Sequence, residues 1–90
     1  MKFYIYLLRC ADDTLYCGFT NNVEARVRAH NESKGAKYTK ARLPVKLVYT
    51  EEYETKSQAL KREIAIKKMT RQEKLTLIEK QTNINCKVNK

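Results

Sequence analysis

Ninety residues, 42% of them apolar, are enough for a single domain with one modest core. No apolar run exceeds the six residues Phe3–Leu8, too short to span a membrane, and no charged-then-apolar leader or export signal is visible; the cytoplasm is the expected compartment. The net charge of +9 favours an anionic partner, with nucleic acid as the sharper expectation and a merely solubilising surface as the plainer one.

Lys2 to Cys10 is aromatic, β-branched and aliphatic and predicts a strand. From Phe3 to Leu8 it is apolar on both faces, so the strand is expected to be central and covered on both sides. Ala11-Asp12-Asp13-Thr14 is a turn cluster, and Leu15 to Thr20 returns as the second arm of a hairpin. Side chains alternate along a strand, so Tyr6 and Tyr16 share a face only if paired residue numbers sum to an even number. That requires a three- or five-residue loop, or a bulge, and the residues leave the choice open.

Asn21 or Asn22 caps a helix running to about Asn31. At about 100° per residue, Val23 and Val27 form its buried stripe, with Arg26 and His30 at one edge. Asn31 to Pro44 has no clear period and is expected to be a basic loop. Residues 31–50 carry Lys34, Lys37, Lys40, Arg42 and Lys46 against Glu32 alone. Val45 to Tyr53 is a third strand. Thr55 with Gln58 forms a capping box for a helix over about 56–68, where Ala59, Leu60, Ile64 and Ile66 spread over a broad apolar arc that encloses Glu63. Thr70 with Glu73 opens another helix over about 70–80. Residues 81–90 are polar with weak pattern and are expected to form a mobile tail, leaving a domain over 1–80. The fold class is α/β (α+β): a small three-stranded, mainly antiparallel sheet flanked by helices.

Each residue that carries chemistry has a sharp reading and a plain one. Glu63 amid apolar residues needs a partner, either a hard cation or a nearby Lys or Arg. Arg26 offers a planar fork for a phosphate, or is an ordinary helix-surface arginine. His30 titrates near neutrality and suits proton transfer, or is a bystander. Tyr6 and Tyr16 orient water or take its proton, or pack as core rings with the hydroxyl at the rim. Gly18 permits a close backbone approach or strained turn, or simply breaks the strand. Lys37, Lys40 and Arg42 contact phosphates and Tyr38 stacks on a base, or the whole segment is a solvated loop. The three cysteines, Cys10, Cys17 and Cys86, lack metal-ligand spacing and are expected to be free thiols.

Tyr4-Ile5-Tyr6, Tyr16-Cys17-Gly18, Arg26 and His30 stand in an order that resembles the GIY-YIG nuclease domain, over about residues 2–80. Gly35-Ala36-Lys37-Tyr38-Thr39, followed by Pro44 and a Leu-Val-Tyr strand, resembles the small stand-alone bacterial proteins of that family. The resemblance implies a metal-dependent endonuclease that hydrolyses phosphodiester bonds in DNA, structured or damaged sites included, and it leaves RNA open. It implies Mg²⁺ or Mn²⁺ at Glu63, a phosphate-binding role for Arg26, and catalytic roles for Tyr6, Tyr16 and His30, without deciding which of the three takes the proton. Two alternatives stand beside it: a nucleic-acid-binding module with weak or no turnover, and a partner-recruited subunit in DNA repair or recombination. The chain departs from the family pattern at Tyr4, where the first motif has glycine. Leu75 stands in the region where many members have asparagine, the next asparagine being Asn83, and Phe19 stands where some repair nucleases have lysine.

Overall fold

The unbroken apolar run at the N-terminus becomes the middle of the sheet. In the computed structural model, which describes residues 2–88, β1 (Phe3–Arg9) lies between β2 (Leu15–Thr20) and β3 (Lys46–Tyr53), antiparallel to both. Arg9 pairs with Leu15, so five residues join the hairpin, which is one of the loop lengths that keeps the two tyrosines together. Cys10 N–H donates to Thr14 O at 2.9 Å to close the turn. Tyr6 pairs with Gly18 and Leu8 with Tyr16, which puts both phenols on one face.

The two faces of the sheet are buried separately. Ile5, Leu7, Cys17 and Tyr49 pack against Ala59 and Ile66 of α3 (Lys56–Lys67), with Leu77 and Ile78 of α4 (Arg71–Val88) closing over them. Tyr6, Leu8, Cys10 and Val45 form the other cluster, with Tyr16, Leu43 and Val27 of α1 (Val23–Asn31) against it. Ile5, Leu7 and Leu8 are wholly buried, and each such side chain is worth about 1.5–3 kcal/mol. Cys10 and Cys17 are free and buried in different clusters; Cys86 lies outside the described side chains.

The helix starts are set by local chemistry. Asn22 Oδ1 accepts from Ala25 N–H at 3.1 Å and caps α1. Both expected capping boxes are present, Thr55 with Gln58 and Thr70 with Glu73. At the far end of α1, Asn31 bonds both backbone groups of Val45, at 2.8 and 3.2 Å, and ties that helix to the start of β3.

Three expectations about extent need correction. The segment expected to be loop contains a one-turn helix, α2 (Lys37–Lys40), because Thr39 N–H and Lys40 N–H both turn back to Ala36 O. The apolar arc of α3 is narrower than its composition suggests: Ile64 is 55% exposed, while Ala59 and Ile66 are fully buried. Finally, α4 runs past residue 80 to Val88, into the segment expected to be a tail. The Gln81 side chain holds it there by bonding Thr50 N–H and Thr50 O, the backbone groups that β3 turns outward as an edge strand. Residues 89 and 90 of that segment lie outside the described residues.

Candidate active site

β2 is an edge strand, and Gly18 leaves a gap in it opposite Tyr6. A Cβ at Gly18 would stand 2.4 Å from both Tyr6 Cζ and Oη, so the phenol occupies the space a side chain would take. Gly18 does not have positive φ. Its role here is close approach, not a strained turn. Tyr6 Oη lies 3.0 Å from His30 Nε2, and the other ring nitrogen, Nδ1, lies 2.8 Å from Thr39 Oγ1. Thr39 Oγ1 in turn donates to Ala36 O at 2.9 Å. A second glycine shapes the other side: a Cβ at Gly35 would meet His30 Nδ1 at 2.2 Å. Tyr6, His30 and Thr39 are all buried.

Arg26 and His30 leave α1 one turn apart and meet the same phenol. Burial pushes the Tyr6 phenol up to about 12; the Arg26 guanidinium pulls against this, while Tyr16 and Glu63 add to the rise. Burial, helped by Arg26, holds the His30 imidazole below its ordinary range, so the ring is neutral at neutral pH. Tyr16 is half-buried and packs edge-on to His30, with ring centroids 5.4 Å apart. Among the described residues, Arg26 has no acidic partner at ion-pair distance. It lines a cavity of about 280 Å³ with Phe3, Phe19, Thr20, Asn21 and Lys56.

Glu63 lies on α3, which packs on the opposite face of the sheet from Tyr6. Its helix, α3, packs against the same edge strand, and its charge is felt by Tyr6 on one face and Cys17 on the other. The carboxylate is 17% exposed, and its ion pair with Lys67 is long, at 3.7 Å. No hydrogen bond to it is made among the described residues. Glu51, the other half-buried acid of this face, is the opposite case. It accepts from the Tyr49 and Tyr53 hydroxyls and from two guanidinium nitrogens of Arg62, at 2.9 and 3.2 Å. Its oxygens are committed, so it braces β3 against α3 and leaves Glu63 as the uncommitted carboxylate.

The basic segment divides in two. Lys37 and Lys40 are exposed and lack an acidic partner among the described residues. Tyr38, exposed, and Arg42, half-buried, make contacts within the fold. Tyr38 stacks on Tyr16 at 5.8 Å, and the Arg42 guanidinium lies 4.1 Å from the Tyr38 ring centre. Arg42 also donates to Asp12 at 3.0 Å and to Tyr38 O at 2.7 Å. These contacts link Tyr38 and Arg42 to Tyr16 and to the β1–β2 turn. The residue pattern alone gives Thr39 no role of its own and does not reveal the steric role of Gly35. One signal was available: the chain has only two glycines, and each makes room for one ring of the Tyr6–His30 pair.

The GIY-YIG catalytic domain family matches residues 2–76. A UPF0213 protein of Staphylococcus haemolyticus is 55% identical over 78 residues, covering 87% of this chain and 95% of that protein. A UPF0213 protein of Staphylococcus aureus is 58% identical over 76 residues, covering 84% and 93%. Two solution NMR structures are similar in fold. One, a protein from E. faecalis, has TM-score 0.62 and 39% identity, covering 91% of this chain and 88% of that one. The other, a UPF0213 protein from Bacillus halodurans, has TM-score 0.58 and 38% identity, covering 88% and 84%.

Proposed function

This chain belongs to the GIY-YIG catalytic domain family, alongside the UPF0213 proteins, and from that premise we propose that it is a divalent-metal-dependent endonuclease acting on DNA. The observation that carries the reading is the buried hydrogen bond from Tyr6 to a neutral His30, set beside an arginine with no acidic partner among the described residues. Arg26 supplies the fork for a non-bridging phosphate oxygen, and its charge is not consumed by the protein. Tyr16, half-buried and without a hydrogen bond among the described residues, orients the attacking water. The proton that leaves this water passes to the Tyr6–His30 pair. A free Tyr6 phenolate is costly in this buried site. The hydroxyl therefore passes its own proton to His30 Nε2 as it receives another, and charge never settles on the phenol.

The donor chemistry fits a hard divalent cation. Glu63 is partly buried and uncommitted, and no group of three metal-ligating side chains forms among the described residues. Glu63 would be a protein ligand to Mg²⁺ or Mn²⁺, with water and a substrate oxygen completing the shell. A bound cation supplies charge neutralisation at the phosphate. Lys37 and Lys40 add binding strength along the DNA backbone.

A second reading, a nucleic-acid-binding module with weak turnover, is favoured by Leu75, a half-buried apolar residue where many family members have a polar one. One assay separates them. Branched, flapped and linear DNA are incubated with Mg²⁺ or Mn²⁺ and either wild type or Glu63→Ala. Product from wild type alone is expected. Retarded but intact DNA with both proteins establishes the second reading.

A further inference from the structure

We infer that Thr39 is a positioning residue that fixes the His30 imidazole as its Nδ1–H tautomer, leaving Nε2 bare to receive the Tyr6 proton. The argument is a count of protons. A carbonyl oxygen only accepts, so the 2.9 Å contact between Thr39 Oγ1 and Ala36 O uses the one hydroxyl proton of Thr39. Thr39 Oγ1 must then accept in its other contact, and the donor 2.8 Å away is His30 Nδ1–H. Burial and the nearby Arg26 keep the ring neutral, so it carries only that one proton. Nε2 is left with its lone pair, and the 3.0 Å contact to Tyr6 is made by the phenol donating.

The reverse arrangement fails on two counts. If Thr39 donated to Nδ1, its contact with Ala36 O would bring two acceptors together. Tyr6 would then accept from Nε2–H and need another acceptor for its own proton inside a buried site. Only the Nδ1–H form satisfies all three contacts. Gly35 adds a steric element, because its missing Cβ lets the ring sit where Thr39 reaches Nδ1.

The catalytic use of this arrangement rests on the nuclease reading; the tautomer does not. His30 is the only histidine in the chain, so long-range ¹⁵N–¹H correlation spectra of labelled protein at neutral pH report one ring. The wild type is expected to show a protonated, pyrrole-like Nδ1 and a pyridine-like Nε2. Thr39→Val keeps the shape and removes the oxygen, and should abolish that preference; Thr39→Ser should restore it. On a DNA substrate, Thr39→Val should lower kcat by about 10–100-fold with KM little changed, as loss of an orienting partner does. A wild-type spectrum with the proton on Nε2 overturns the inference whatever the variants do, and so does an unaltered tautomer in Thr39→Val. If the tautomer follows Thr39 but no divalent metal yields product, the inference stands and the nuclease reading falls.

Discussion

Replacing Gly18 by alanine should injure this protein through one contact that can be identified in advance. The new Cβ would lie 2.4 Å from Tyr6 Cζ and Oη. The backbone itself does not object, since Gly18 lacks a positive φ, and a less flexible unfolded chain would return about 0.4–1 kcal/mol. The loss must therefore come from the phenol. Tyr6 is 1% exposed, so the clash falls inside the packed core, and such overpacking costs about 1–3 kcal/mol. If the ring moves, the bond to His30 breaks and leaves buried polar groups unpaired, for about another 1–3 kcal/mol. The net expectation is a loss of about 3 kcal/mol, which for a chain of this length lowers Tm by roughly 12–24 °C. Gly35→Ala presses on the other ring of the same pair, at 2.2 Å from His30 Nδ1. The double variant should therefore cost less than the two singles together, by about 0.5–3 kcal/mol, because one displaced pair relieves both clashes. Urea and thermal unfolding of the four proteins measure this directly. In a Tyr6→Leu background, Gly18→Ala should be nearly neutral. Stability of Gly18→Ala within about 0.5 kcal/mol of wild type, or full additivity with Gly35→Ala, would refute the account of both glycines.

Glu63→Gln should abolish metal-dependent cleavage yet change stability by no more than about 1 kcal/mol, since the carboxylate's ion pair with half-exposed Lys67 is long; full cleavage at limiting Mg²⁺ would remove Glu63 from the metal site. Neutralising Lys37 and Lys40 together should flatten the salt dependence of DNA affinity by about two units of slope, with little change in single-turnover rate. Arg26→Ala should lower that rate by about 10²–10³-fold, and equal effects of the two variants on the rate would show that Arg26 does not hold the reacting phosphate. Acid should destabilise the fold through His30. The unfolded imidazole gains its proton as pH falls through about 6.5, while the folded ring, held lower, stays neutral. The unfolded state then binds more protons, so stability is complete above that pH and declines below it by at most about 1.4 kcal/mol per pH unit. Urea midpoints from about pH 8 to pH 5 test this; an identical decline in His30→Gln would assign it to other groups.

Much of the architecture was legible because it follows from patterns with short reach. Capping boxes at Thr55–Gln58 and Thr70–Glu73 are statements about four residues of chain, and they hold here as local chemistry requires. The apolar run Phe3–Leu8 fits only a strand covered on both faces. Where reach was longer, pattern misled. Ile64 looked like core because its neighbours did, yet α3 turns only Ala59 and Ile66 fully inward. Past residue 80, α4 brings Gln81 to Thr50 across the fold, a contact that no local window contains.

The site shows the same division more sharply. Glu51 and Glu63 are both acids set among apolar residues, and burial is similar at 18% and 17% side-chain exposure. What separates a structural acid from a candidate metal ligand is the number of donors already satisfied: four contacts at Glu51, against a single long ion pair at Glu63. That number is a property of the folded molecule. The same holds for Thr39, which a sequence presents as one polar residue in a basic segment. Only its simultaneous contacts with Ala36 O and His30 Nδ1 give its single proton a fixed destination, and through it give the imidazole a direction. Residue types mark where acid–base chemistry is affordable in this fold, but the direction in which a proton moves is decided by hydrogen-bond partners that are distant in the chain.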